Sequence, residues 1–172
     1  MRSFMLFFIS ILFFSMPAFA SCIEKNLGKE VTLVGQARMK VMLWDIYDAS
    51  LHASGGRFDE DGDYALTLNY LRSIKGREIA DVSAEEMRRL GMKDEIKLAA
   101  WHQQMHDIFP DVFPGTSLTG VRLSSGETVF CKDNQEIGRI SDPEFSNLFF
   151  GIWLDERTSA PNLRLGLLGV RS

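Results

Sequence analysis

Arg38 stands near the head of GQARMKVMLWDIYDASLHA, Gly35 to Ala53, a run that otherwise reads as buried strand. Taken as one extended segment, alternation sends Gly35, Ala37, Met39, Val41 and Leu43 to one face and Arg38, Lys40, Met42, Trp44 and Ile46 to the other. The second face is half apolar, and a guanidinium keeps its charge when buried, so Arg38 needs an anionic partner. That partner is either a local acid, Asp45 or Asp48, at a sheet edge, or something the protein binds. Other residues offer chemistry more weakly. His102 and His106 in HQQMH could share one helix face as metal ligands do, but Gln103 stands where a zincin-type motif has Glu. The plainer reading puts both imidazoles on the wet side of the helix and implies no metal and no cofactor. Arg77 and Glu78 could rim a cleft or form an exposed pair at a helix start. Asp111, held between Pro110 and Pro114, is accounted for by turn geometry.

The N-terminus decides which residues belong to the fold. Arg2 precedes an uncharged apolar stretch that ends in Ala18, Phe19 and Ala20, the pattern of a secretory signal peptide cut after Ala20. Residues 21–172 then form one domain, with no further stretch apolar enough to span a bilayer. Export places it in the periplasm or outside the cell. The whole sequence has 19 basic and 23 acidic residues, a net charge of −4, and losing Arg2 makes the remainder more acidic. Nucleic acid is therefore not an expected partner. Both cysteines, Cys22 and Cys131, survive cleavage, and an oxidising compartment makes a disulfide between them a candidate. The competing use of Cys22 is as a lipidated N-terminus, although Phe19 stands where the usual lipoprotein signal has leucine.

These groups must be positioned by alternating strands and helices. EVTLVGQAR, KVMLWDIYDASLHA and YALTLNYL read as strands, with a Gly-rich acidic turn at residues 54–63. Ser83 and Glu86 have capping-box spacing, which predicts a helix over 83–91. A second amphipathic helix is predicted over 94–108, ending before Pro110. Residues 115–140 return to period two as an antiparallel meander. Asp142 and Pro143 open a helix, 142–153, that is apolar nearly all round, and APNLRLGLLG supplies a last short one. Trp101, Trp153, Phe149 and Phe150 read as core, a subset of them free to line a cavity.

Taken in order, GQAR, DIYDASLHA, IKGREIA, IFPDVFPGTSLTG, EIGRISDPEFSNLFFGIWL and TSAPNLRLGLLG resemble the bacterial chalcone isomerase-like family over nearly all of residues 21–172. The resemblance implies an α+β fold, an open-faced sandwich whose curved, mainly antiparallel sheet has helices packed on one face. In plant chalcone isomerases the cleft between the layers holds a flavonoid, and plastid relatives bind fatty acids. Arg38 matches the arginine that meets the substrate oxyanion or fatty-acid carboxylate in those proteins. On this basis Arg38 is the expected anchor of a small amphipathic carboxylate, with Met42, Trp44 and Leu68 as its wall. Met42 falls at the position of a catalytic threonine, and IKGREIA offers no tyrosine where the family has one. The expected function is therefore binding without catalysis. The alternatives are an isomerase or lyase using Arg38 on an unsaturated carbonyl compound, favoured by a hydroxyl converging on Arg38, and an interaction scaffold, favoured by a filled cleft.

Overall fold

The computed structural model describes residues 20–170, so the expected signal segment lies outside the described residues apart from Ala20. Six strands pair in chain order, every neighbour antiparallel: β1 (Val31–Val41), β2 (Trp44–Ser54), β3 (Tyr64–Tyr70), β4 (Ser117–Arg122), β5 (Glu127–Lys132) and β6 (Gln135–Ser141). Among the described residues there are also five helices: α1 (Cys22–Leu27), α2 (Gly76–Leu90), α3 (Glu95–Ile108), α4 (Pro143–Leu154) and α5 (Pro161–Leu167). The fold is α+β, an open sheet covered on one face by α2 to α5. Period two explains the layering: Tyr64, Leu66, Leu68 and Tyr70 of β3 join the core under the helices, whereas Ala65 between them joins a smaller cluster on the other face.

That second face carries an element the sequence reading did not contain. The short helix α1 starts with a capping box made by Ser21 and Glu24 and is held down by a disulfide between Cys22 and Cys131. Beneath it Ala65, Val121 and Val129 are fully buried. With its sulfur bonded to Cys131, Cys22 has no thiol left to form a lipid thioether.

The run from Gly35 to Ala53 is not one strand. Met42 and Leu43 form a two-residue turn, with Met42 at φ 55°, that folds it into the β1–β2 hairpin. A register shift between Met39 and Lys40 also leaves Ile46 as an extra residue on β2, so Met39 faces Tyr47 while Lys40 faces Asp45. The turn and the bulge together cancel the uniform alternation expected across this stretch.

The start of α2 also differs from expectation. The helix begins at Gly76, well ahead of Ser83, whose hydroxyl donates to the Ile79 carbonyl 2.7 Å away in the helix interior. A distant residue supplies the cap: the Asp111 carboxylate accepts from the Gly76 amide at 3.0 Å and from Lys75 Nζ at 2.7 Å. Asp111 is thus a tertiary N-cap, which no local spacing reveals. The Asp142 side chain caps α4 as expected, accepting from the Glu144 amide, with Pro143 in the first turn.

Two glycines of the recognised motifs mark close approaches. A Cβ on Gly76 would collide with the Phe109 carbonyl, and one on Gly35 would overlap the α5 backbone, 2.6 Å from the Leu167 carbonyl oxygen. Gly35→Ala is therefore expected to destabilise the protein by about 1 to 3 kcal/mol, the usual cost of overpacking against atoms that cannot move aside. Chemical denaturation beside wild type checks it, and an unchanged midpoint would show that α5 can shift off β1.

Candidate functional site

Between the inner sheet face and α2, α4 and the start of α5 lies a cavity of about 530 Å³, within the roughly 300–1,000 Å³ range of ligand pockets. Its walls are aliphatic and aromatic: Met39, Leu66 and Leu68 from the sheet, Ile79 from α2, Phe149 from α4 and Leu163 from α5. Val41 and Val82 both line it and are exposed, so the mouth lies where the β1–β2 hairpin meets α2.

A few polar groups interrupt this lining, and they differ in what they still have to offer. Trp153 Nε1 donates to the Tyr47 hydroxyl at 2.9 Å across the layers. An indole N–H only donates, so the Tyr47 oxygen must accept, and its own O–H proton has no acceptor among the described residues. Across the strand pair Tyr70 stacks edge-on to Tyr47, ring centroids 5.7 Å apart. Tyr70 is only 3% exposed, and its hydroxyl has no hydrogen-bond partner among the described residues. Burial pushes the Tyr47 hydroxyl up to about 12, partly offset by the Trp153 bond and reinforced by the charge of Glu86. Burial and nearby Tyr47 push Tyr70 up as well. Both tyrosines are neutral hydrogen-bond donors near neutral pH.

The charged residues of the lining are both acids, Glu78 and Glu86 of α2, placed by helical spacing on the side of Val82. Glu86 accepts from Arg89 and from the Ser159 hydroxyl, and Glu78 lies near the Lys75 amide. No Lys, Arg or His lines the cavity among the described residues.

The expected site residues separate. Leu68 lines the cavity. Arg38 does not: on β1 it points away from the side that Met39 presents to the cavity, and its guanidinium grips Asp48 with Nε and Nη2 at 2.6 and 2.8 Å and Asp45 with Nη1 at 2.9 Å. The local-acid alternative describes its surroundings, and the anchor role does not fit this position. Met42 is 91% exposed at the hairpin turn, so its thioether has no bearing on chemistry in the cavity. Trp44, 59% exposed, stacks under the Arg72 guanidinium at 4.2 Å and is not a wall. Met42 is carried out of the cavity by the turn it forms. Of the aromatics read as core from the sequence, Phe149, Phe150 and Trp153 also line the cavity and Trp101 does not. The sequence reading missed Tyr47 and Tyr70, although Tyr70 lies two residues beyond Leu68 and shares its face by simple alternation. His102 pairs with Asp81 at 2.7 Å, and no cluster of three or more His, Cys, Asp or Glu among the described residues is arranged to hold a metal.

A meandering antiparallel sheet, helices on one face and an apolar chamber between the layers define an α+β open-faced sandwich with an internal cavity. Comparison with known proteins places it further. The chalcone isomerase-like family model matches residues 23–169, and the chain belongs to that family. A Haemophilus influenzae protein described as uncharacterized is 25% identical over 137 residues, which cover 79% of this chain and 67% of that protein. The crystal structure of an Arabidopsis thaliana fatty-acid binding protein superposes with a TM-score of 0.65 over 83% of this chain and 89% of that one, at 12% identity, a likeness of fold.

The three tyrosines of the chain, Tyr47, Tyr64 and Tyr70, are all raised by burial above the ordinary value near 10. Folding favours their neutral forms, so the stability they contribute is full below about pH 10 and is lost as pH rises through 10 towards 12 and beyond. Ultraviolet titration of the native protein is expected to show almost no phenolate at pH 10, where free tyrosine is half ionised. A normal titration curve would show that the cavity is wet.

Proposed function

We propose that this chain is an exported carrier that binds a single-chain amphipathic lipid of the fatty-acid type in its cavity and does no chemistry on it. The observation that carries this reading is the 530 Å³ apolar chamber with unused tyrosine hydroxyls inside it. An apolar tail would displace water from the aliphatic wall, and Tyr47 would donate to an oxygen of the head group. The fatty-acid ligand of the Arabidopsis protein that shares the fold supports the choice of ligand class. Export is supported by the Ala18–Phe19–Ala20 pattern and by the Cys22–Cys131 disulfide, which suits an oxidising compartment such as the periplasm. The isomerase alternative needs a hydroxyl converging on Arg38, but the tyrosine hydroxyls serve the opposite face of the sheet.

Calorimetric titration of delipidated protein with dodecanoic acid near pH 6 is expected to saturate at one ligand per chain. Ile79→Trp, which fills the chamber, should weaken binding at least tenfold while the fold is retained, and Arg38→Met should bind as wild type does. Failure of wild type to bind any of dodecanoic acid, its methyl ester and dodecan-1-ol would favour the scaffold reading, and loss of binding in Arg38→Met would return the anchor role to Arg38. Export is checked by the intact mass of the processed chain, expected to begin at Ser21 and to carry no acyl groups.

A further inference from the structure

We infer that the head group held in this cavity is uncharged: a protonated carboxylic acid, an ester, an alcohol or an aldehyde, and not a carboxylate. The inference rests on the binding reading above and specifies its ligand. A buried carboxylate needs a cation or several strong donors to replace its water. Among the described residues the lining has no cation, and its charged members are Glu78 and Glu86, of the same sign as a carboxylate. Arg38 of the hairpin is paired with Asp45 and Asp48 on the other side of the sheet, and Arg89, which pairs with Glu86, is outside the lining.

The polar groups present match a neutral oxygen instead. Tyr47, with its oxygen already accepting from Trp153, can donate one hydrogen bond, the need of a carbonyl or ether oxygen. Tyr70, buried and unpartnered beside it, can donate a second bond, or accept one from an alcohol or a protonated acid. The Glu86 charge acts on the Tyr47 hydroxyl so as to keep it protonated, and the same field opposes an anion at that place. Ser83 and Ser159 add hydroxyls to the lining but no charge, with Ser83 already donating to Ile79 and Ser159 to Glu86.

The test compares head groups on one tail. Full-length processed protein is titrated with dodecanoic acid, methyl dodecanoate and dodecan-1-ol near pH 8 and again near pH 6, with tryptophan fluorescence and calorimetry as readouts. No histidine lines the cavity, so over this interval the ligand's own carboxyl is the group that changes state. Near pH 8 the alcohol and ester are expected to bind at least tenfold tighter than the acid. The apparent affinity for the acid should rise about tenfold per pH unit on acidification, following its neutral fraction, while the other two stay level. Tyr47→Phe should weaken the ester several-fold and leave binding of dodecane unchanged, a readout that a merely structural role would not produce. If dodecanoate near pH 8 binds as tightly as the ester, or its affinity does not change with pH, the head group is held as an anion and the inference falls while the carrier reading stands. If none of the three probes binds at either pH, the carrier reading falls and takes this one with it.

Discussion

The seating of α4 on the sheet is the constraint from which the interior follows. Its capped first turn leads into Phe145, Phe149, Phe150 and Trp153, all buried. Phe145 stacks on Phe149, and Phe130 and Tyr64 meet the group edge-on from the sheet, with centroids 5.1 to 5.4 Å apart for the Tyr64–Phe150, Phe130–Phe149 and Phe145–Phe149 pairs. These large rigid rings set the height of the helical layer. The chamber beside them is walled on the sheet side by Met39, Leu66 and Leu68 of β1 and β3 and by Leu118 and Phe130 of β4 and β5. The cavity is the part of the interface that the aromatic stack props apart but does not fill.

Trp153 joins the two regions. It ends the aromatic row of α4 and reaches the Tyr47 hydroxyl on β2, 106 residues away in sequence. Because an indole can only donate, this contact fixes the tyrosine as acceptor and leaves its proton unused. One packing decision thus ties the helical layer to the hairpin and gives the chamber a directed donor. On the exposed sheet face Arg38 pairs with Asp45 and Asp48. In the chamber the Tyr47 hydroxyl proton has no acceptor among the described residues, so outer and inner faces of the same hairpin differ in what they can offer a ligand.

The same contrast separates this chain from a simple transfer of roles along the family resemblance. The motif GQAR contributes a glycine that lets α5 lie on β1 and an arginine that braces the outer face of the hairpin. IKGREIA contributes a glycine packed on Phe109 and, through Glu78, an acid at the chamber. Family membership fixes the frame, while the groups that would meet a ligand are decided by which face each strand position takes.

Periodicity laid out the elements: alternating strands, an amphipathic middle and an apolar helix behind an Asp-Pro entrance are legible because burial of apolar surface repeats at the period of each element. That the strands form one antiparallel sheet with helices on a single face came from the resemblance of the motifs, taken in order, to a known family. Reading along the chain also identified the two acids able to satisfy Arg38, since they lie close to it in sequence. Tertiary structure alone decided the site. A turn at Met42 and one extra residue at Ile46 changed which side chains face inward, and a strand read by counting is displaced by every irregularity in it. The cap of α2 comes from Asp111, the donor state of Tyr47 is fixed by Trp153, and the cavity is a space between layers. Each depends on atoms brought together from distant parts of the chain, and such meetings leave no periodic trace in the sequence.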